Sequence, residues 1–279
     1  MCQRILALAI AFVLVIVQAA GALDPPSLLQ LDTWTFSQED QDRLNAAHAV
    51  DLGPEIMTAI AKATGNLPIG TVRDFRADDL NADGICEIVA AVDVSGRGLV
   101  RDLITVSRNG GAYSCDTIPA YGGEIRLWGM DGKQMLVTMQ PAYDLSRSDP
   151  LITYPRLFSW TGTKCEDVSQ RTRPYYEDVF LPQIKSMMAE AEKVNVSTNI
   201  EDRHRIIIRV ASLSHAAVKV NRFFDVPIVQ KADIGAITEV LESLGASSRG
   251  NLDSQVAILL RNATTEAEAE QSRLAAMGD

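Results

Sequence analysis

Between residues 71 and 168 the chain alternates short apolar runs with polar positions, and glycine, asparagine and aspartate break the runs. Period-two runs bounded by turn residues predict β-strands, here at 71–76, 86–93, 101–107, 112–118, 124–128, 134–140, 152–160 and 164–168. Three of the breaks resemble one another: Arg108-Asn109-Gly110-Gly111, Met130-Asp131-Gly132-Lys133 and Trp160-Thr161-Gly162-Thr163. Asn-Gly and Asp-Gly supply the positive φ angles of tight hairpins. Three residues past each turn glycine stands Tyr113, Met135 or Cys165. The pattern is a degenerate hairpin repeat and predicts an antiparallel meander.

On either side of this region the period lengthens. Ser37 to Asp40 resembles a helix start, with a capping oxygen followed by acids. It predicts one helix to about Ala47 and a second from Pro54 to Ala63, ended by Gly65, with Ile56, Ile60 and Ala63 on one face. Beyond Arg173-Pro174, Ile206, Val210, Leu213, Ala217, Val220 and Phe224 recur at steps of four and three, the spacing of a single helix face. Ile234, Ile237, Leu241 and Leu244 form the next face, ended by Gly245, and Val256, Leu259 and Leu260 open another. An earlier helix is expected near Pro182, burying Ile184, Met187, Met188 and Ala191. The fold class is therefore expected to be α+β. Two short helices (23–65) precede an antiparallel β-rich domain (66–170), and a C-terminal helical bundle (171–279) follows.

The densest chemistry lies between the first two predicted strands. Asp79, Asn81, Asp83 and Glu87 occupy positions one, three, five and nine of a loop, Gly84 follows the third oxygen donor, and Ile88-Val89-Ala90-Ala91-Val92 begins at once. Side-chain oxygens at alternate positions, with the Ile85 carbonyl at position seven, are how a short loop surrounds calcium, which takes six to eight oxygen ligands. Gly84 permits the sharp turn. An EF-hand needs a bidentate glutamate at position twelve, where this chain has Ala90 inside an apolar run. The EF-hand reading fails on that ligand.

The run Asp-x-Asn-x-Asp-Gly-x-x-Glu leading into Ile88-Val89 resembles the FG-GAP or VCBS repeat of integrin-like β-propellers, over residues 72–92 with a looser echo to 169. The hairpin Phe158 to Gly162 and the trailing Glu166 to Ser169 also look like that family's blade ends. The resemblance implies blade-like hairpins and a structural Ca2+ held by Asp79, Asn81, Asp83, the Ile85 carbonyl and Glu87. Only one acidic loop is present: Asp93 to Arg97 lacks a third acid, and Asp144 to Asp149 is too sparse. A propeller needs four or more blades, so the expectation is one or two blade-like sheets packed by helices.

Composition adds the compartment. Arg4, the apolar run Ile5 to Val17 and the small residues up to Ala22 have the layout of a cleavable secretory signal, residues 1–22. The run is shorter than the about 20 residues of a spanning helix. A secreted or periplasmic protein is expected, with no membrane association after cleavage. A net charge of −10 argues against nucleic acid and anionic membrane surfaces as partners. Three cysteines remain after cleavage: Cys86, Cys115 and Cys165. A Cys86–Cys115 bridge is favoured, on the premise that they lie on neighbouring strands; Cys115–Cys165 and three buried thiols stay open.

Catalytic motifs are not found. The histidines are His48, His204 and His215, and the last two, on one helix, stand about 16 Å apart, too far to share a metal. There is no Gly-x-Ser-x-Gly elbow, His-Glu-x-x-His pair, phosphate-binding glycine loop or dinucleotide fingerprint. Arg171-Thr172-Arg173-Pro174-Tyr175-Tyr176 is read as a joint between sheet and helices rather than a recognition patch. Asn195 and Asn262 are glycosylation acceptors only in a eukaryotic host. The expected function is a non-enzymatic, calcium-stabilised binding module for an unidentified protein or glycan. The alternative is an envelope hydrolase with an unrecognised acidic site.

Overall fold

The β-rich region folds as two sheets. In the computed structural model, residues 52–65, 69–94, 100–109, 111–121, 125–141, 153–194, 199–248, 252 and 254–277 are described. They belong to one compact unit, Asp32–Asp279. The signal expected at residues 1–22, the helix expected at 37–47, His48, the segment Asp144 to Asp149 and Asn195 lie outside the described residues.

The first sheet consists of β1 (Ile69–Asp78), β2 (Glu87–Val94), β3 (Val100–Asn109) and β4 (Ala112–Tyr121), in that order and antiparallel throughout. The second consists of β5 (Arg126–Met130), β6 (Lys133–Pro141), β7 (Thr153–Trp160) and β8 (Cys165–Asp167), again in sequence order. All eight expected strands are present, and the turns behave as their residues dictate. Asp131 and Gly132 take φ of 54° and 78° between the paired Met130 and Lys133, the doubly positive φ of a two-residue hairpin.

Alternation along β2 explains how the layers stack. Val89 and Ala91 face the second sheet, joining Leu80 of the β1–β2 connection and Leu103, Ile118 and Ala120 of the first sheet with Ile125, Leu136 and Trp160. Ala90 and Val92 face the other way, onto Ile60 of helix α1 (Pro54–Ala63). A strand apolar on both faces is a strand covered on both faces.

The outer face of the second sheet meets the helices. A single α-turn at Arg173–Tyr175 runs through a π-helical stretch, Tyr176–Phe180, into α2 (Leu181–Ala191). Tyr175 meets Trp128 edge-on at 5.6 Å, and the Tyr176 hydroxyl donates to the Pro155 carbonyl at 3.1 Å. Both tyrosines are buried, so this segment is the sheet-to-helix joint that was expected. Helices α3 (Ile200–Asn221), α4 (Lys231–Ser247) and α5 (Ser254–Met277) follow. Asn199 caps α3 by accepting from the Asp202 amide at 2.9 Å. Helix α4 passes through Gly245 instead of ending there. A Cβ at Gly245 would stand 3.1 Å from Leu260 Cδ2, so this glycine lets α4 and α5 approach.

The helical core also holds polar groups that an apolar spacing does not announce. Asn221, fully buried, accepts from the Val229 amide at 2.8 Å and donates to the Val229 carbonyl and to Glu270 Oε1, each at 3.0 Å. Burial works to raise the Glu270 carboxyl, but the hydrogen bonds from Arg273 and Asn221 outweigh it and hold the group below its ordinary value. Asn221→Ala would strand the Val229 amide and carbonyl and remove one support of Glu270. It is expected to cost about 3 kcal/mol in urea unfolding, and a change within error would show that this link carries no stability.

Candidate metal centre

The loop from Asp79 to Cys86 joins β1 to β2 and is shaped by its own side chains. Ala82 and Gly84 take left-handed φ of 61° and 85°, which coils the backbone so that its amides point back at the preceding oxygens. Asp79 Oδ1 accepts from the Asp83 amide at 3.0 Å and Oδ2 from the Gly84 amide at 2.8 Å. Asn81 Oδ1 accepts from the same Asp83 amide at 3.1 Å, and Asp83 Oδ1 accepts from the Ile85 amide at 2.8 Å. The Asn81 amide group donates to Asp83 Oδ2 at 2.9 Å. These bonds to backbone two to five residues on are why aspartate and asparagine favour tight loops.

Two residues anchor the loop inside the protein. Leu80 is fully buried in the core between the sheets. Its carbonyl accepts from the Gln134 amide of β6 at 3.0 Å, and its amide donates to Glu87 Oε2 at 3.0 Å. Glu87 is likewise fully buried, and its Oε1 accepts from the Ser107 hydroxyl at 3.3 Å. Burial raises the Glu87 carboxyl above its ordinary value; repulsion from Asp83 and Asp79 adds to the rise, while the bonds from Leu80 and Ser107 oppose it.

The structure thus gathers Asp79, Asn81 and Asp83 at one exposed or half-buried loop and turns Glu87 inward onto Leu80 and Ser107. The signal for that orientation lay in the strand: Glu87 shares the parity of Val89 and Ala91, which face the second sheet. The Ile85 side chain is exposed. The donors are all hard oxygens and suit calcium chemically. Each carboxylate oxygen has a second lone pair beyond the amide bond it accepts. Among the described residues, no three His, Cys, Asp or Glu side chains are grouped as a metal site.

The cysteine expectation is overturned. Cys86, Cys115 and Cys165 are free thiols. Strand β3 lies between β2 and β4, so Cys86 and Cys115 are not on neighbouring strands. Two strand spacings, about 9.5 Å, exceed the about 7 Å that a disulfide spans. Cys115 packs on the α1 side of the first sheet and Cys165 on the opposite side, which separates that pair too. Burial pushes the Cys165 thiol up to about 12, well away from a reactive thiolate.

The other sequence candidates have structural places. His215 is buried, with Nδ1 2.6 Å from Glu266 Oε2, between α3 and α5. His204 lies half-buried near the start of α3, and Asn262 is exposed on α5. Among the described residues no helix is long and apolar enough to cross a membrane. No protein-family model, curated protein or solved structure matches this chain.

Glu87 gives the site a pH signature. A carboxyl raised in the folded state contributes stability that is present below its ordinary value of 4.5 and lost as pH rises through the raised value. Glu87→Gln keeps an acceptor for the Leu80 amide and an uncharged partner for Ser107. In chelator, the variant should match the wild type near pH 4.5 and become the more stable of the two as pH rises to neutrality. Parallel urea-midpoint profiles would refute this assignment.

Proposed function

We propose that this chain is an exported, non-enzymatic binding module whose Asp79–Glu87 loop holds a structural calcium ion, as a single FG-GAP/VCBS-like repeat. One observation carries the reading. The loop that collects the oxygens of Asp79, Asn81 and Asp83 is also the loop whose Leu80 enters the core between the sheets and binds β6. An ion there would act on the packing of both sheets.

In this reading Asp79, Asn81, Asp83 and the Ile85 carbonyl are the oxygen donors on the loop, and Glu87 completes the set from the buried side. The ion would supply positive charge that offsets the mutual repulsion of three carboxylates and favours the ionised form of Glu87. Two sequential four-stranded antiparallel sheets support the likeness, since four strands is the size of a propeller blade. The role is static, with the stiffened sheets presenting a surface to a protein or glycan. Export rests on the pattern of residues 1–22, and the −10 charge suits an acidic protein in a calcium-containing medium.

Occupancy by a ligand that binds only the folded state stabilises it by about 2.7 kcal/mol at a hundred times the dissociation constant. Calcium should therefore raise the melting temperature of the wild type by several degrees, and chelator should reverse the gain. Asp83→Ala should abolish the response, with the calcium-free melting temperature lowered only modestly by loss of the exposed Ile85 amide cap. An identical melting curve for the wild type in calcium and in chelator would defeat the reading.

A further inference from the structure

A polar cavity of about 260 Å³ lies where the end of the second sheet meets the helices, lined by Arg156, Asp167, Ser169, Gln170, Arg171 and Phe223. It shares no residue with the calcium loop. Its floor is held in place. Arg156 on β7 is ion-paired with Asp167 on β8, and its guanidinium lies 5.7 Å from the Phe158 ring. Asp167 Oδ1 accepts from both the hydroxyl and the amide of Ser169, at 2.6 and 2.9 Å. The Ser169 hydroxyl in turn accepts from the Leu157 amide at 3.0 Å. Phe223 is fixed by ring contacts with Tyr154 and Tyr176.

The charge balance of this cavity differs from that of the whole protein. Arg156 and Arg171 face a single carboxylate, Asp167, which Arg156 and Ser169 already occupy. Arg171 makes no ion pair among the described residues. The nearby Glu166 is paired with Lys164 at 2.8 Å. One net positive charge is left at the cavity of a chain that carries −10 overall. The Arg156 side chain is one-third exposed, and a guanidinium has five N–H groups suited to carboxylate and phosphate oxygens.

We propose that this cavity binds the carboxylate or phosphate group of a small anionic ligand, gripped by Arg156 and Arg171, with Phe223 as the apolar wall for the rest of the molecule. Its volume lies below the about 300–1,000 Å³ of sites for drug-sized ligands, so the ligand is small. Gln170, which is exposed, supplies a further hydrogen-bonding group at the rim. Arg156 is preorganised by Asp167, while the exposed Arg171 can close onto the anion without disturbing the sheet.

The test is calorimetric titration of the full chain, in chelator, with two probes: inorganic phosphate, and benzoate, whose ring could lie on Phe223. Saturable binding of either is expected, and the better probe identifies which group the site takes. Arg171→Gln, at an exposed position with no ion pair to lose, should weaken binding by about tenfold or more, the worth of a charged hydrogen bond. Arg205→Gln, on the surface of α3, should leave it unchanged. The proposal is overturned if neither anion saturates, if Arg171→Gln binds as tightly as the wild type, or if both variants weaken binding equally.

Discussion

Leu80 ties the two sheets together. Its side chain fills the core between them, its carbonyl accepts from an amide of β6, and its amide donates to the buried carboxyl of Glu87. Both backbone groups of this residue are thereby satisfied away from water, as buried peptide groups must be. The loop around it has no such freedom. With Leu80 fixed, Asp79 and Asn81 on either side must remain at the surface, where their oxygens collect the amides of Asp83 and Gly84.

That arrangement places opposed demands on one short segment. The loop needs carboxylates to cap its own amides, and the strand that follows needs Glu87 inside to hold Leu80. Three acids then stand near one another, and the buried one bears the cost as a raised carboxyl. Protonation of Glu87 relieves the cost at low pH, and a cation would relieve it at neutral pH. The far faces of both sheets are covered as well. Helix α1 covers the far face of the first sheet, and the aromatic joint of Trp128, Tyr175 and Tyr176 covers the far face of the second.

Much of this was legible in the residues, for identifiable reasons. The eight strands follow from period-two alternation and from glycine-bearing turns whose φ requirements are local. The division into two sheets was only half legible: one or two blade-like sheets were expected, and nothing in the residues chose between them. The apolar run Ile88 to Val92 nonetheless carried the news that β2 is covered on both sides. The disulfide expectation failed because it assumed an adjacency between β2 and β4 that the meander itself denies. The stop signal at Gly245 was overridden by packing, since a missing side chain serves contact with Leu260 as well as it serves a helix end. Asn221 and Glu270 escaped notice because their partners, Val229 and Arg273, are set by tertiary structure rather than by spacing. Position along the loop was enough to bring Asp79, Asn81 and Asp83 together, but the inward turn of Glu87 depends on strand parity, which a ligand pattern does not contain.

The coupling between loop and sheets is most directly measured by amide hydrogen exchange at Leu80 and Gln134, in calcium and in chelator. If the loop is a cation-stiffened tie, both amides should exchange slowly in calcium and lose protection together, by a common factor, when the ion is removed. Protection that is the same in both conditions, or that falls at Leu80 while Gln134 is untouched, would contradict the account.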